Sequence, residues 1–484
     1  MFLGVDIGTS AVKAVVTDEQ GFVRAQTSAA LPISRLKPGW SEQDPQDWWS
    51  ATEACVVQFE PSLRSRVRAV GLSGQMHGAT LLGGDDTVLR PAILWNDGRS
   101  EAECAELARA APRLCAISGN IAMPGFTAPK LLWLRRHEPR VFDEVRTVLL
   151  PKDYVRLCMT GEKASDMSDA AGTLWLDVGA RVWSSELLAA TGLNAAQMPA
   201  LFEGPASTGR LRKDVAARWK MEEVAVVAGG GDNAAAAAGV GVIDDGDAFI
   251  SLGTSGVIFA AGSAFRPNLE RTVHAFCHCL PQRWHQMSVM LSAASCLDWA
   301  ARLTGMPSVG ALLDHAEQAA SLSGNEIFLP YLSGERTPHN NPRARGVLIN
   351  LDHDSDNARV GQAVLEGVAF AFADGLDALI EAGADVSSLT VVGGGARSLW
   401  WGRVLAAALN RPLVYRDGGD VGPALGAARL AQMHDTGLAA EAVCKPAKEL
   451  AVVQPRADDA DALAGKRDTF KRLYGAFTPF FPGE

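Results

Sequence analysis

Three features are scarce or missing in this chain, and each closes off a class of function. There is no long basic run, and 45 Lys and Arg against 55 Asp and Glu give a formal net charge of −10. Such a chain offers no electrostatic footprint for nucleic acid or for an anionic membrane as its main partner. No uncharged apolar run reaches roughly 18 residues, so no membrane span is read. The first apolar strand begins almost at Met1, which leaves no room for a signal peptide. Paired cysteine motifs are absent as well: Cys55, Cys104, Cys115, Cys158, Cys296 and Cys444 all stand alone. Scattered thiols in a chain without a leader are most simply reduced, which points to the cytoplasm. The one cluster is "HAFCHCL", with His274, Cys277, His278 and Cys279, and His285 beyond it. Its residue types suit zinc, but the two cysteines lie too close and no second pair completes a site. Its alternation suits a strand instead.

What is present is ordinary in bulk and particular in place. The 484 residues, 48% hydrophobic and 21% charged, are too many for one compact core, so two domains or more are expected. Two stretches resemble each other: "GVDIGTSAVKAVV" at 4–16 and "FISLGTSGVIFAA" at 249–261. Both read as an apolar strand, Gly-Thr-Ser, and a second apolar strand, which is a β-hairpin with a small-residue turn. Their spacing halves the chain and predicts an internal duplication, with "GVIDDGDAF" at 241–249 as the crossing. Each half alternates apolar strands with amphipathic helices, the mark of an α/β fold. "VRAVGLSG" at 67–74 and "LTVVGGG" at 389–395 read as strands that end in glycine turns. "DPQDWWSATEACVVQF", "NARVGQAVLEGVAFAFADGLDALIEAG" and the last stretch, "DALAGKRDTFKRLYGAFTPF", have helical spacing.

The turns carry more information than the elements. "DIGTS" and "LGTSG" each offer consecutive backbone N–H groups and hydroxyls with little side chain in the way, which suits phosphate oxygens. One such hairpin is common turn chemistry. Two in matched positions, with a third glycine turn at Gly393–Gly395, predict a nucleotide clamped across an interdomain cleft. Residues 229–239, "GGGDNAAAAAG", follow the apolar "VAVVAG" and read as strand, tight turn and slim helix. Asp232 and Asn233 sit near the start of that helix, either as ordinary caps or as working groups.

These features resemble the actin-like ATPase fold and, within it, the sugar and polyol kinases of the FGGY family. The resemblance extends along nearly the whole chain. It is carried by "SGQMHGATLL" (73–82), "LRPAILWNDGR" (89–99) and "LPKDYVRLCMTGEKASDMSDAAGTLWLDV" (150–178), and by "FLPYLSGERTPHNNP" (328–342) and "GGDVGPALGAARLA" (418–431). It implies two actin-like, ribonuclease H-like α/β domains with an ATP and sugar cleft between them. Residues 1–244 would form the N-terminal sugar-binding domain and residues 245–484 the C-terminal ATP-binding domain. It further implies ATP-dependent phosphorylation of D-xylulose at the 5-hydroxyl, a step of D-xylose catabolism, with the choice of sugar resting mainly on "GQMHG". The alternatives are a kinase for D-ribulose or another polyol, an actin-like ATPase switch without a sugar acceptor, and a catalytically dead sugar sensor. A homodimer also fits the resemblance, although no surface stripe demands one.

The resemblance assigns roles by position. Asp232 would be the general base, and Asp6 would organise Mg²⁺, directly or through water. Met76 and His77 would lie against the sugar, with Asn233 on a hydroxyl. Gly253, Thr254 and Ser255 would lie at the ATP phosphates, and Gly394 and Gly395 along the adenosine. The residues add their own reasons. Phosphoryl transfer asks for positioning and charge stabilisation, and Mg²⁺ prefers few carboxylates and retained waters. Gly8 and Thr9 belong to the first phosphate-type hairpin, and Lys13 either reaches a phosphate or is an exposed strand lysine. Trp95, Asn96, Asp97, Phe126 and Lys130 are further sugar-contact candidates or plain core. The helix start is expected to keep Asp232 ionised, by about 0.3–1 kcal/mol, even when closure removes water. That closure should keep sugar-independent ATP hydrolysis weak.

Overall fold

A computed structural model describes residues 1–319, 322, 324–417 and 422–482. Two seven-stranded sheets organise it, one in each half of the sequence. In the first, the strands run Ser207–Arg210, Ala225–Val227, Ala69–Gly74, Phe2–Ile7, Ala11–Thr17 and Val23–Ala30, with Gly230–Gly231 extending along Ala69–Gly74. In the second, they run His274–Cys277, Trp284–Met290, Gly256–Gly262, Ala248–Leu252, Leu389–Val392, Leu413–Arg416 and Glu449–Val453.

The same succession of directions appears in both sheets. A meander of three antiparallel strands is followed by two parallel neighbours and an antiparallel edge. The second sheet adds His274–Cys277 beyond its meander. Both Gly-Thr-Ser stretches are the turns of hairpins, Phe2–Ile7 with Ala11–Thr17 and Ala248–Leu252 with Gly256–Gly262. These hairpins are local and apolar on both sides, which is why sequence pattern alone defines them.

Helices Pro45–Gln58, Asn357–Glu381 and Ala457–Phe477 form where the apolar spacing places them. One connection runs against sequence order. Helix Gly422–Thr436, from the second half of the chain, packs on the first sheet and on helix Asp232–Val240. Small residues make this possible: a Cβ on Gly71 would overlap the carbonyl of Ala427, and one on Gly426 would overlap that of Ala235. Backbone therefore lies on backbone where the two halves meet, and the alanines after Asp232 are the near side of that contact. The positions 418–421 of "GGDVGPALGAARLA" lie outside the described residues. Among the described residues no helix is long and apolar enough to cross a membrane.

Candidate active site

The meeting of the two halves leaves a cavity of about 300 Å³. Met76, His77, Trp95, Phe126, Asp232 and Asn233 line it from the first half, and Gly253, Thr254 and Ser255 from the second.

Asp232 gets there through the glycines before it. The strand Ala225–Val227 cannot continue straight, because Gly229 has φ 81° and presses on the Leu72 carbonyl, where no Cβ fits. Gly231 then passes Met76 so closely that a Cβ would lie 3.0 Å from its Cγ. Gly231 is the N-cap and Asp232 the first residue of helix Asp232–Val240. Asp232 is thus not a capping side chain. Its Oδ1 accepts from the Asn233 N–H at 2.7 Å and from Asn233 Nδ2 at 2.9 Å, and its Oδ2 makes no hydrogen bond among the described residues. Asn233 spends one of its two side-chain N–H groups on this contact and keeps the other, with its carbonyl oxygen, for a hydroxyl.

Enclosure, more than the helix start, sets the charge of Asp232. Burial pushes its carboxyl up to about 6, against the hydrogen bonds from Asn233. A helix start favours the carboxylate by less than one pKa unit, and enclosure in the cleft outweighs it. Asp232 remains mostly ionised at neutral pH, by a narrower margin.

Asp6, one residue before the end of the first strand, lies near it. Its cross-strand neighbours are Lys13 on one side and Ser73 on the other, and Ser73 Oγ donates to Asp6 Oδ1 at 3.1 Å. Burial, and then the charge of Asp232, push Asp6 up to about 7, with Ser73 and Lys13 opposing. Two enclosed carboxylates facing one exposed lysine make a local excess of negative charge. That donor set fits Mg²⁺, which binds through one or two carboxylates and completes its shell with water and phosphate.

The hairpins are tied down by their carbonyls. The Gly253 and Thr254 carbonyls accept from Ala294 and Ala293 N–H at 2.9 Å, and Ser295 Oγ also donates to Thr254. In the first hairpin the Gly8 N–H donates to Ala11, and the Thr9 hydroxyl donates to Gln75 Oε1 while accepting from Trp95 Nε1, each at 3.0 to 3.1 Å. Trp95 thereby fastens the sugar side to the hairpin. Gly393 and Gly395 abut Leu252 at the root of the second hairpin, and Gly394 faces open space.

His77 is held firmly. Its Nδ1 donates to the Gly172 carbonyl at 2.6 Å, and its own carbonyl accepts from Lys130 Nζ at 3.0 Å and Thr127 Oγ1 at 3.2 Å. Burial, with Lys130 and Arg336 nearby, pushes its pKa down to about 3. It is a neutral ring whose cavity-facing nitrogen accepts. Lys130 therefore supports His77 and does not line the cavity. Asn96 points to a surface hollow with Arg35 and Trp40, and buried Asp97 is bound by Arg99 and the Ser41 N–H, so neither reaches the site.

A buried charge cluster stands behind the base. Lys152 Nζ lies 2.6 Å from Asp153, 2.8 Å from Asp166 and 3.2 Å from Asp169. Asp166 binds Ser168, whose Oγ accepts the Gly231 N–H at 3.0 Å, and the same short helix leads to the Gly172 carbonyl that orients His77. One buried unit thus supports both the base and the sugar-side histidine.

The far wall, which lies outside the expected sugar and ATP residues, belongs to the second half: His274, Phe276, Met287, Val289 and Arg336. The strand alternation of "HAFCHC" was the available signal for His274 and Phe276. Arg336 had none beyond its place in "SGERTPHNNP". Among the described residues no three His, Cys, Asp or Glu side chains converge on a metal position. Cys277 and Cys279 donate to the carbonyls of Val178 and Ala234.

Residues 1–239 match the N-terminal domain of the FGGY family of carbohydrate kinases, and residues 248–434 match its C-terminal domain. The chain belongs to the FGGY family. It is 54% identical over 484 residues to a xylulose kinase of Escherichia coli (strain K12), covering 99% of each chain. It is 36% identical over 481 residues to a xylulose kinase of Bacillus subtilis (strain 168), covering 98% of this chain and 96% of the other. Among solved structures it resembles a xyloylose kinase from Brucella ovis, with a TM-score of 0.96, 49% identity and 99% of each chain covered. The Plasmodium falciparum glycerol kinase shares the fold, with a TM-score of 0.89 at 19% identity, covering 98% of this chain and 97% of the other. As a kinase of the FGGY family the chain uses ATP as its phosphoryl donor, and its two-domain, actin-like α/β architecture is the family's.

Proposed function

We propose that this chain transfers the γ-phosphoryl group of ATP to the 5-hydroxyl of D-xylulose. The observation that carries this reading is one free carboxylate oxygen, Asp232 Oδ2, in the same cavity as His77 and the Gly253–Ser255 hairpin. The division into a sugar-binding half, 1–244, and an ATP-binding half, 245–484, is part of the reading. It is supported by the sides of the cleft from which these groups come.

In the reaction, Asp232 Oδ2 takes the proton of the 5-hydroxyl as its oxygen bonds to the γ-phosphorus. The bond from phosphorus to the bridging oxygen breaks, and ADP leaves with the electron pair. A positioned base of this kind contributes about 10²–10⁴-fold. The Gly253–Ser255 hairpin holds the phosphate oxygens through backbone N–H groups, and Gly393–Gly395 flank the adenosine. Asp6, with Asp232 near it, would hold Mg²⁺, which neutralises charge on the transferring phosphate when bound. His77 accepts from a sugar hydroxyl, Asn233 accepts from another, and Met76 gives apolar contact. Closure of the halves excludes water, which would otherwise compete as acceptor. The eight free thiols suit a reducing compartment such as the cytoplasm.

The test is coupled ADP release with Mg-ATP and a panel of D-xylulose, D-ribulose, L-ribulose, glycerol and gluconate. The expected result is the highest kcat/KM for D-xylulose and only slow ADP release without sugar. A clear preference for another acceptor would overturn the substrate, and equally fast release without sugar would overturn the acceptor role of the cavity.

A further inference from the structure

Phosphoryl transfer uses one hydroxyl of the acceptor, yet the cavity continues past Asp232 to an aromatic end with its own polarity. His77 and Phe126 of the first half meet His274 and Phe276 of the second there, with Phe126 4.9 to 6.2 Å from the other three rings. Both imidazoles have fixed tautomers. His77 Nδ1–H is spent on the Gly172 carbonyl, and His274 Nδ1–H donates to Asn120 Oδ1 at 2.9 Å. The Asn120 orientation is set in turn, because its Nδ2 donates to the carbonyls of Ser118 and Ala275. Each ring therefore presents Nε2 as an acceptor.

A donor is supplied from the second half by Arg336. Its Nη1 donates to His274 Nε2 at 3.4 Å. Its backbone is clamped by Glu335, whose Oε1 accepts the N–H of Arg336 at 2.7 Å and of Leu291 at 2.9 Å. Among the described residues Arg336 makes no ion pair with a carboxylate, and it is the one Lys or Arg on the cavity wall. The rest of its fork is left for a ligand. The aromatic end thus holds a cationic donor, one acceptor already filled by it (His274), and one free acceptor (His77).

We propose that Arg336 reads the ketone end of the acceptor, donating to the C2 carbonyl oxygen while His77 Nε2 accepts from a neighbouring hydroxyl, so that the cavity selects 2-ketoses over the corresponding pentitols. A carbonyl oxygen only accepts and is satisfied by the guanidinium. The C2 hydroxyl of a pentitol brings one more proton, and at the aromatic end no acceptor remains for it among the described residues, since His274 is filled and His77 is occupied. Sites with buried polar groups discriminate most strongly in such cases. The inference rests on the reading of this cavity as the sugar site.

The experiment compares kcat/KM for D-xylulose with that for xylitol and D-arabinitol, the pentitols formed by reducing its C2, in wild type, Arg336→Gln and Arg336→Lys. Both rates come from one preparation, so their ratio is independent of how much of a variant is folded. Loss of a charged hydrogen bond predicts a roughly 10- to 100-fold fall in the ketose-to-pentitol ratio for Arg336→Gln. Arg336→Lys, a cation without the fork, should fall less. A ratio unchanged in both variants overturns the proposal, as does a wild type that uses pentitols as well as ketoses. Failure of the functional reading is distinguishable. If D-ribulose is the preferred acceptor that reading fails, while the same ratio taken against ribitol still decides the role of Arg336.

Discussion

Lys152→Met should be among the most damaging single changes in the first half, whereas Asp169→Asn, in the same cluster, should cost almost nothing. Lys152, Asp153, Arg156, Asp166 and Asp169 are all wholly buried, and Arg156 pairs with Asp153 at 2.5 Å. Fully ionised, the five groups would carry three negative and two positive charges. Burial, reinforced by Asp153 and Asp166 and only partly opposed by Lys152, pushes Asp169 well above the usual carboxylate range. Of the three carboxyls it is the one pushed towards keeping a proton, and with one proton held there the cluster balances. Removing the ammonium leaves two buried carboxylates against one guanidinium, and breaking a buried pair in this way costs about 3–5 kcal/mol. At roughly 2–4 °C per kcal/mol for a domain of 150–250 residues, the unfolding midpoint should fall by roughly 6–20 °C. Asparagine has the shape of protonated Asp169, so that variant should stay within about 1 kcal/mol of wild type.

The two variants also separate by pH. A carboxyl raised in the folded state keeps a proton that the unfolded chain releases above about pH 3.9, so its contribution to stability falls as pH rises. Asp169→Asn removes that dependence and should gain on wild type as pH rises above about 4. Scanning calorimetry of wild type and both variants across this range measures both effects. An Asp169→Asn protein as damaged as Lys152→Met, or one that loses ground to wild type with rising pH, would refute the shared-proton reasoning.

Two further outcomes follow from the geometry. The base must be ionised to accept a proton, and burial pushes Asp232 up to about 6, so kcat/KM for the sugar, at a Mg²⁺ concentration that would keep Asp6 ionised, should fall about tenfold per unit below that pH. A pH–rate profile with its acid limb near pH 4 would contradict the enclosure of this carboxyl. Gly426→Ala drives a Cβ into the Ala235 carbonyl, and overpacking of this kind costs about 1–3 kcal/mol despite the better helix propensity of alanine. Thermal unfolding checks it, and a neutral or stabilised variant would show that the two helices can separate freely.

The parts legible in the sequence were those fixed by neighbouring residues. The two Gly-Thr-Ser hairpins, the turn from Gly229 into Asp232, and Met76-His77 after a strand are local patterns whose geometry follows from turn chemistry and alternation. What sequence order hid was long-range. Helix Gly422–Thr436 returns to the first sheet because Gly71 and Gly426 allow backbone contact, and no local pattern states which surface that helix covers. Arg336 and His274 join the sugar side only when the second sheet docks against Phe126 and Asn120, more than 140 residues away in sequence. Asn96 and Asp97 follow Trp95 directly, yet the chain turns there and carries both away from the cavity. The raised carboxyls were hidden for a related reason. A helix start is visible in sequence, but the enclosure that outweighs it exists only once both halves are in place.

The most direct test of the central claim is the rate of D-xylulose-dependent ADP release by Asp232→Asn, at saturating Mg-ATP and sugar, beside wild type. The substitution keeps shape and removes the proton acceptor. If Asp232 takes the proton of the 5-hydroxyl, kcat falls by at least ~10²-fold while KM for ATP stays close to the wild-type value. A variant that keeps the wild-type kcat would mean that another group accepts the proton.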